Sequence, residues 1–205
     1  MINIIEDKKS FIFTLEQKLS NEFNLNDLIC EEASQDHGWE RVRWKLLFPG
    51  GVSEVMDFYI NEFADINLFA QDQEDKIRSK IAYYARLHIE TLAELPNLFL
   101  VAARYISSPC NLFSSGKIIW RIADKIWWAS GDRSIDFNFY SKRIILSKIY
   151  ISVLKFASLD LSLKREESWI FLHHAIDSHI EFIGKIKSMP RTLRKKIPFI
   201  RLYIK

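Results

Sequence analysis

The sequence predicts an all-α protein. Apolar residues recur at spacings of three and four almost throughout, the period of a helix with one buried face. Glycine and proline number only 6 and 5 in 205 residues, and they fall at a few points between periodic stretches. No long polar linker interrupts the pattern, so the length reads as one sizeable helical domain.

Nine or ten helices follow in order. The first covers about Asp7 to Phe23, with Phe11, Leu15 and Leu19 on one face. Asn26 has the side chain to cap a second, which runs to Asp36 and stops at Gly38. A third spans Trp39 to Leu47 and ends at Phe48-Pro49-Gly50-Gly51, where proline cannot extend the hydrogen-bond ladder and glycine permits a sharp turn. A fourth runs from about Ser53 to Ala70. A fifth runs from Glu74 to Leu95, with Ile77, Ile81, Tyr84 and Leu87 facing inward. Pro96 suits the first turn of a sixth ending near Ile106, and Ser107-Ser108-Pro109-Cys110 is the clearest interior break. Helices over Gly116 to Ser130, Asp136 to Leu159 and Lys164 to Lys187 complete the body, with Gly131 placed for a left-handed cap. A basic tail is the tenth.

Charge is unevenly distributed. Residues 182–205 hold eight Lys or Arg and no Asp or Glu, although the whole chain is only +3, so the part before them is acidic. Arg191, Arg194, Lys195, Lys196, Phe199 and Arg201 belong to a stretch in which Leu193, Ile197, Ile200 and Leu202 alternate with cations. That describes an amphipathic membrane-binding segment better than a nucleic-acid arm, which would be polar and poor in large aliphatics. The alternative is a last helix packed on its own domain. The opening residues lack a basic start and a small-residue cleavage site, and no uncharged run approaches the roughly 18 residues of a spanning helix. The expected location is cytoplasmic, peripheral on the inner face of the membrane. Cys30 and Cys110 read as reduced structural thiols.

Three short helices ahead of longer ones is the layout of TetR-type regulators. Against DNA reading, residues 1–60 carry six basic and eleven acidic side chains, whereas a groove-binding helix needs a positive footprint. Arg41, Arg43 and Lys45 form one basic patch among Glu31, Glu32, Asp36 and Glu40. Catalytic patterns fare no better. His173 and Asp177 share a helix face, but His174 points about 100° away and His179 is five residues from His174, so only two metal ligands align. No Glu has a His three residues later, as a helical di-iron centre requires, and phosphate-binding glycine fingerprints are missing. No catalytic residue, metal or cofactor is expected.

The most informative stretch is Trp120-Arg121-x-x-Asp124-x-Ile126-Trp127-x-x-x-Gly131-Asp132 followed by Asp136-Phe137-Asn138-Phe139-Tyr140-Ser141-Lys142-Arg143. It has more aromatics than one turn needs for its own packing, and aromatics near a surface are the usual anchors of an interface. Core packing is the competing account for Trp120, Ile126 and Trp127, whereas Tyr140 with Asp136 four residues earlier reads as exposed.

With Phe48-Pro49-Gly50-Gly51, Lys76-Ile77-Arg78 and Ser168-Trp169-x-Phe171-Leu172 leading to Ile176-Asp177, these motifs resemble the ubiquinone biosynthesis accessory family, coenzyme Q protein nine, over about residues 25 to 187. The resemblance implies a TetR-like bundle with a degenerate helix-turn-helix and a C-terminal amphipathic helix. It implies a homodimer through the last long helices and an apolar cavity for an isoprenoid quinone or phospholipid. It also implies a partner, the di-iron demethoxyubiquinone hydroxylase, met through Asp136, Asn138, Phe139 and Tyr140. Phe139 stands where the family usually has Trp, which keeps the aromatic anchor and loses the indole donor; Ser141 stands for the common Thr.

The resulting expectation is a non-catalytic lipid-binding accessory protein that presents a polyprenyl quinone precursor to that hydroxylase at the membrane, without nucleic acid. Residues 1–50 form the degenerate helix-turn-helix part, 51–187 the ligand-binding and dimerisation body, and 188–205 the membrane-binding tail. Ile119, Ala123, Leu146, Tyr150 and Val153 are the expected lipid-cavity walls, since a prenyl tail asks only for apolar surroundings. The alternative is a ligand-responsive transcriptional regulator of the same fold; an uncharacterised enzyme comes third.

Overall fold

The computed structural model describes residues 4–21, 24–65, 76–133 and 137–188, the side chains of 21, 137, 138 and 180–188 excepted. The described residues form an all-α, TetR-like bundle of nine α-helices: α1 (Ile4–Lys18), α2 (Asp27–Asp36), α3 (Trp44–Leu47), α4 (Val52–Phe58), α5 (Ile77–Leu92), α6 (Pro96–Ser107), α7 (Leu112–Ala129), α8 (Phe137–Ala157) and α9 (Glu166–Ser188). The chain divides into two compact units. One comprises Met1–Asp65 and His88–Ile118, the other Ile66–Leu87 and Ile119–Lys205.

In the first unit α1 packs on α2, α3 and α6. Phe11, Ile12 and Leu15 are fully buried on the face that their spacing predicts, and Leu19 continues it in a short 3-10 turn. The Asn26 side chain accepts a hydrogen bond from the Ile29 amide at 3.0 Å and so caps α2, as its position predicts. Glu16 of α1 caps a different helix. Its carboxylate accepts from the Asn97 amide at 3.0 Å and the Leu98 amide at 2.7 Å, satisfying two orphan donors of α6 just behind Pro96 and placing negative charge at that helix's positive end. Tyr59 donates its hydroxyl to the Leu92 carbonyl at 2.6 Å, so the end of α5 is held from a distant element.

Several elements depart from expectation. The third helix starts at Trp44 rather than Trp39, because Gly38 turns the chain at φ +80° and the Trp39 amide folds back onto the Ser34 carbonyl at 2.9 Å. The fourth stops being α-helical at Phe58. Tyr59–Phe63 widens into a π turn, where His88 Nε2 bonds the Ile60 carbonyl at 2.9 Å, and Ala64 ends it. Residues 66–75, expected to continue the fourth helix and start the fifth, lie outside the described residues. Ile77 is exposed and Leu87 half-buried, so the inward face of α5 is carried by Ile81, Tyr84, Ala85 and Ile89. Helix α7 begins at Leu112, ahead of the expected Gly116.

In the second unit α8 and α9 pack together. Leu146, Tyr150, Val153 and Leu154 of α8, with Trp169, Leu172 and Ile176 of α9, are buried. Burial pushes the Tyr150 phenol well above its usual range. The basic tail, with Arg191, Arg194, Lys195, Lys196, Phe199 and Arg201, lies outside the described residues.

Candidate functional site

The turn from α7 to α8 is shaped by a Schellman motif. The Gly131 amide bonds the Trp128 carbonyl at 3.0 Å and the Asp132 amide bonds the Trp127 carbonyl at 3.0 Å. Gly131 sits at φ +91°, the left-handed geometry that glycine adopts without a Cβ penalty. This cap aims Asp132 back under the start of α8, where its carboxylate accepts Lys142 Nζ at 2.7 Å and lies 3.6 Å from an Arg143 guanidinium nitrogen.

Arg143 is the hub of the site. It is only 2% exposed, yet it carries a full charge. Its Nε donates to Asp124 Oδ1 at 2.6 Å, a terminal nitrogen donates to the Phe139 carbonyl at 3.1 Å, and the guanidinium lies 3.3 Å from the centre of the Phe139 ring. A buried cation is tolerable only when paired and hydrogen-bonded, and two carboxylates, a carbonyl and an aromatic face meet that condition here. Trp127 joins the network by donating its indole N–H to the Lys142 carbonyl at 3.1 Å.

Aromatic side chains stand on this polar base. Trp120, Phe139 and Tyr140 are in mutual contact, with ring centroids 5.2 to 6.4 Å apart. Tyr140 is 57% exposed, as its spacing from Asp136 predicts, while Phe139 and Trp120 are half-buried beside it. Trp128, also 57% exposed, holds the Arg133 guanidinium 3.8 Å from its ring. Trp127 is half-buried and Ile126 wholly so, which makes Ile126 the core residue of the trio. Of the four expected partner residues, Phe139 and Tyr140 are therefore brought together, while Asp136 and the side chain of Asn138 lie outside the described residues.

The five expected lipid contacts, Ile119, Ala123, Leu146, Tyr150 and Val153, are all buried in the second unit. They do not line its open groove. That groove, of about 410 Å³, runs along the other side of α8 between Ile144, Ile145, Lys148 and Ile149 and the α9 residues Phe171, Ala175 and His179. Burial, and after it the Lys148 charge, moves the His179 imidazole down. The groove's signal in the sequence was that Ile144, Ile145 and Ile149 lie off the stripe of Leu146, Tyr150 and Val153, so α8 has apolar residues on more than one side. His173 and His174 are exposed, and Asp177 pairs with Arg78 at 3.2 Å. Among the described residues no group of three His, Cys, Asp or Glu is placed to hold a metal ion, and no helix is long and apolar enough to cross a membrane.

Residues 113–183, which contain α8, nearly all of α7 and most of α9, match the COQ9 family model. The chain is similar to the mitochondrial ubiquinone biosynthesis protein COQ9 of Homo sapiens, 33% identical over 84 residues, covering 41% of this chain and 26% of that protein. It is also similar to the coq9 proteins of Schizosaccharomyces pombe, 27% identical over 151 residues (70% and 58%), and Dictyostelium discoideum, 26% identical over 106 residues (52% and 34%). The chain spans about a third of the length of most of the curated relatives that it matches.

Proposed function

We propose, from the match of residues 113–183 to the COQ9 family model and the likeness to COQ9 proteins, that this chain is a COQ9-family member and a non-catalytic accessory protein of ubiquinone biosynthesis. In this reading it binds a polyprenyl quinone precursor and presents it to the di-iron demethoxyubiquinone hydroxylase. The observation that carries the proposal is the aromatic surface of Trp120, Phe139 and Tyr140 on the Arg143 network. It is rigidly supported from below and open to water above, the condition in which aromatic anchors contribute most to association. Phe139 offers that partner an apolar face and no indole donor, so the contact depends on packing and on the Tyr140 hydroxyl.

The apolar groove on α8 and α9 supports pairing with a second copy through the last long helices. The basic, aliphatic composition of residues 188–205 supports a peripheral position on the inner face of the membrane, where a prenyl tail is available. The curated relatives are named mitochondrial.

The regulator reading loses ground on the first unit. All three cations of its basic patch pair with acids of the same unit: Arg41 with Glu31 at 2.7 Å, Arg43 with Asp7 at 3.7 Å and Lys45 with Asp27 at 3.0 Å. The helix that would enter a groove is the single turn of α3.

Replacing Tyr140 with Lys is expected to abolish hydroxylase capture while leaving the melting temperature unchanged. Capture that survives the charge would remove the docking assignment. Mass spectrometry of lipid carried through purification tests the cargo, and a phospholipid-only profile would argue against a quinone precursor.

A further inference from the structure

We propose that the loop between α8 and α9, residues 158–165, is a membrane contact in its own right, a preformed leucine prong that enters the acyl boundary of a bilayer. This extends the membrane-docked reading above and rests on it. Leu159, Leu161 and Leu163 alternate along the loop and are 66, 99 and 83% exposed. Isolated exposed leucines need no explanation, but three on eight residues of one turn are a concentrated apolar projection.

The loop is built rather than slack. The Asp160 carboxylate accepts from the Ser162 amide at 2.8 Å, the Ser168 amide at 2.9 Å and the Ser168 hydroxyl at 2.5 Å. Ser162 Oγ accepts from the Glu167 amide at 3.2 Å, Arg165 Nε donates to the Ala157 carbonyl at 3.1 Å, and the Trp169 indole donates to the Lys164 carbonyl at 2.9 Å. Lys164 and Arg165 are held in the left-handed region at φ 52° and 55°, a conformation that costs non-glycine residues energy and persists only where surroundings enforce it. Ordinary packing does not explain that effort, because the side chains it presents stand mostly in water, Leu161 almost wholly.

Two features favour lipid over a protein partner. Several polar groups around the leucines, the Asp160 carboxylate and the Leu159, Ser162 and Arg165 amides among them, have partners in or beside the loop, which removes part of the penalty that backbone meets on entering hydrocarbon. The presented side chains are purely aliphatic, a residue type under-represented among protein hot spots, and the loop has no aromatic. Exposed Lys155 and Lys164 flank the leucines in sequence, on side chains long enough to reach headgroup phosphates. Glu166 and Glu167 are exposed too; they occupy the first turn of α9, where the helix dipole favours negative charge.

The test uses the full chain with Leu161→Cys in a Cys110→Ser background, labelled with an environment-sensitive fluorophore; the remaining thiol, Cys30, is buried. On vesicles of phosphatidylcholine and phosphatidylglycerol, the probe should brighten several-fold and become shielded from aqueous iodide. The full chain carrying Leu159→Ser, Leu161→Ser and Leu163→Ser should float with the same vesicles about tenfold more weakly, with unchanged circular dichroism and melting temperature. If the chain floats but the probe stays in water, the prong is overturned and the tail alone docks the protein. If the wild type does not float, the membrane reading fails with it. A probe that responds to a protein partner and not to vesicles would make the loop a protein-docking element, and the inference would be wrong.

Discussion

The two units contain surface patches of opposite character. Around α3 in the first unit, each cation is answered by an acid of its own unit, so the patch presents little net charge to anything outside. At the α7–α8 turn in the second unit, charge is placed underneath: Arg143, Asp124 and Asp132 form the base, and aromatics are left on top. The difference teaches that residue type alone does not mark an interface. A patch whose charges are neutralised internally is surface decoration, whereas an apolar patch held from below by the buried Arg143 and Asp132 is positioned for a partner.

The strongest way to break this comparison is Arg143→Met. Removing Arg143 takes the 2.6 Å partner from Asp124 and leaves Asp132 with Lys142 as its cation; because Asp124 is half-exposed, the loss is expected to be about 2 kcal/mol in urea unfolding, with partner capture falling as the aromatic surface loosens. A neutral result would mean that the aromatics are held by their own packing.

In the first unit, Glu16→Ala should cost about 1 to 2 kcal/mol, because two amide donors at the start of α6 lose their acceptor. Next in size is acid sensitivity of the α8–α9 loop. Burial pushes the Asp160 carboxyl up, but hydrogen bonds from Ser162 and Ser168 outweigh it and hold it down at about 2. A carboxyl depressed in the folded state stabilises above its unfolded value near 4 and loses that contribution as pH falls toward 2. The Asp160→Asn chain should therefore lack the loop-specific rise in amide exchange that the wild type shows across that window.

Thiol chemistry sharpens the comparison of interior with surface: burial, helped by Asp27 and Glu31, pushes the Cys30 thiol up to about 12, and Cys110 is exposed. One equivalent of maleimide should modify the folded chain, at Cys110, and two the unfolded chain. The smallest effect belongs to the basic patch, where Arg41→Ala should change stability by less than about 0.5 kcal/mol. Any promoter shift that this substitution abolished would revive the regulator reading.

Periodicity and punctuation were enough to locate α1, α2, α6 and the Gly131 cap, because each depends on interactions within a few residues: an i to i+4 stripe, an Asn26 cap, a proline in a first turn, a glycine at positive φ. The same local signals overextended the third and fourth helices. The Trp39 amide closes the end of α2 on the Ser34 carbonyl five residues back, a local cap that periodicity alone does not reveal, whereas the Ile60 carbonyl finds His88 28 residues away, a choice made only on folding. In the candidate site, the aromatics and the exposure of Tyr140 were legible from spacing. Arg143 was quoted only as part of a motif, since nothing local distinguishes a buried arginine from a solvated one.

By itself, then, the sequence determined an all-α chain, its helix ends wherever a cap or breaker is local, and the family that its α7–α9 region resembles. Only the tertiary structure decided which charges are neutralised and which aromatics stay in water. Pairing Arg143 with Asp124 across 19 residues, or Glu16 with α6 across more than 80, depends on distances that exist only once the helices have packed.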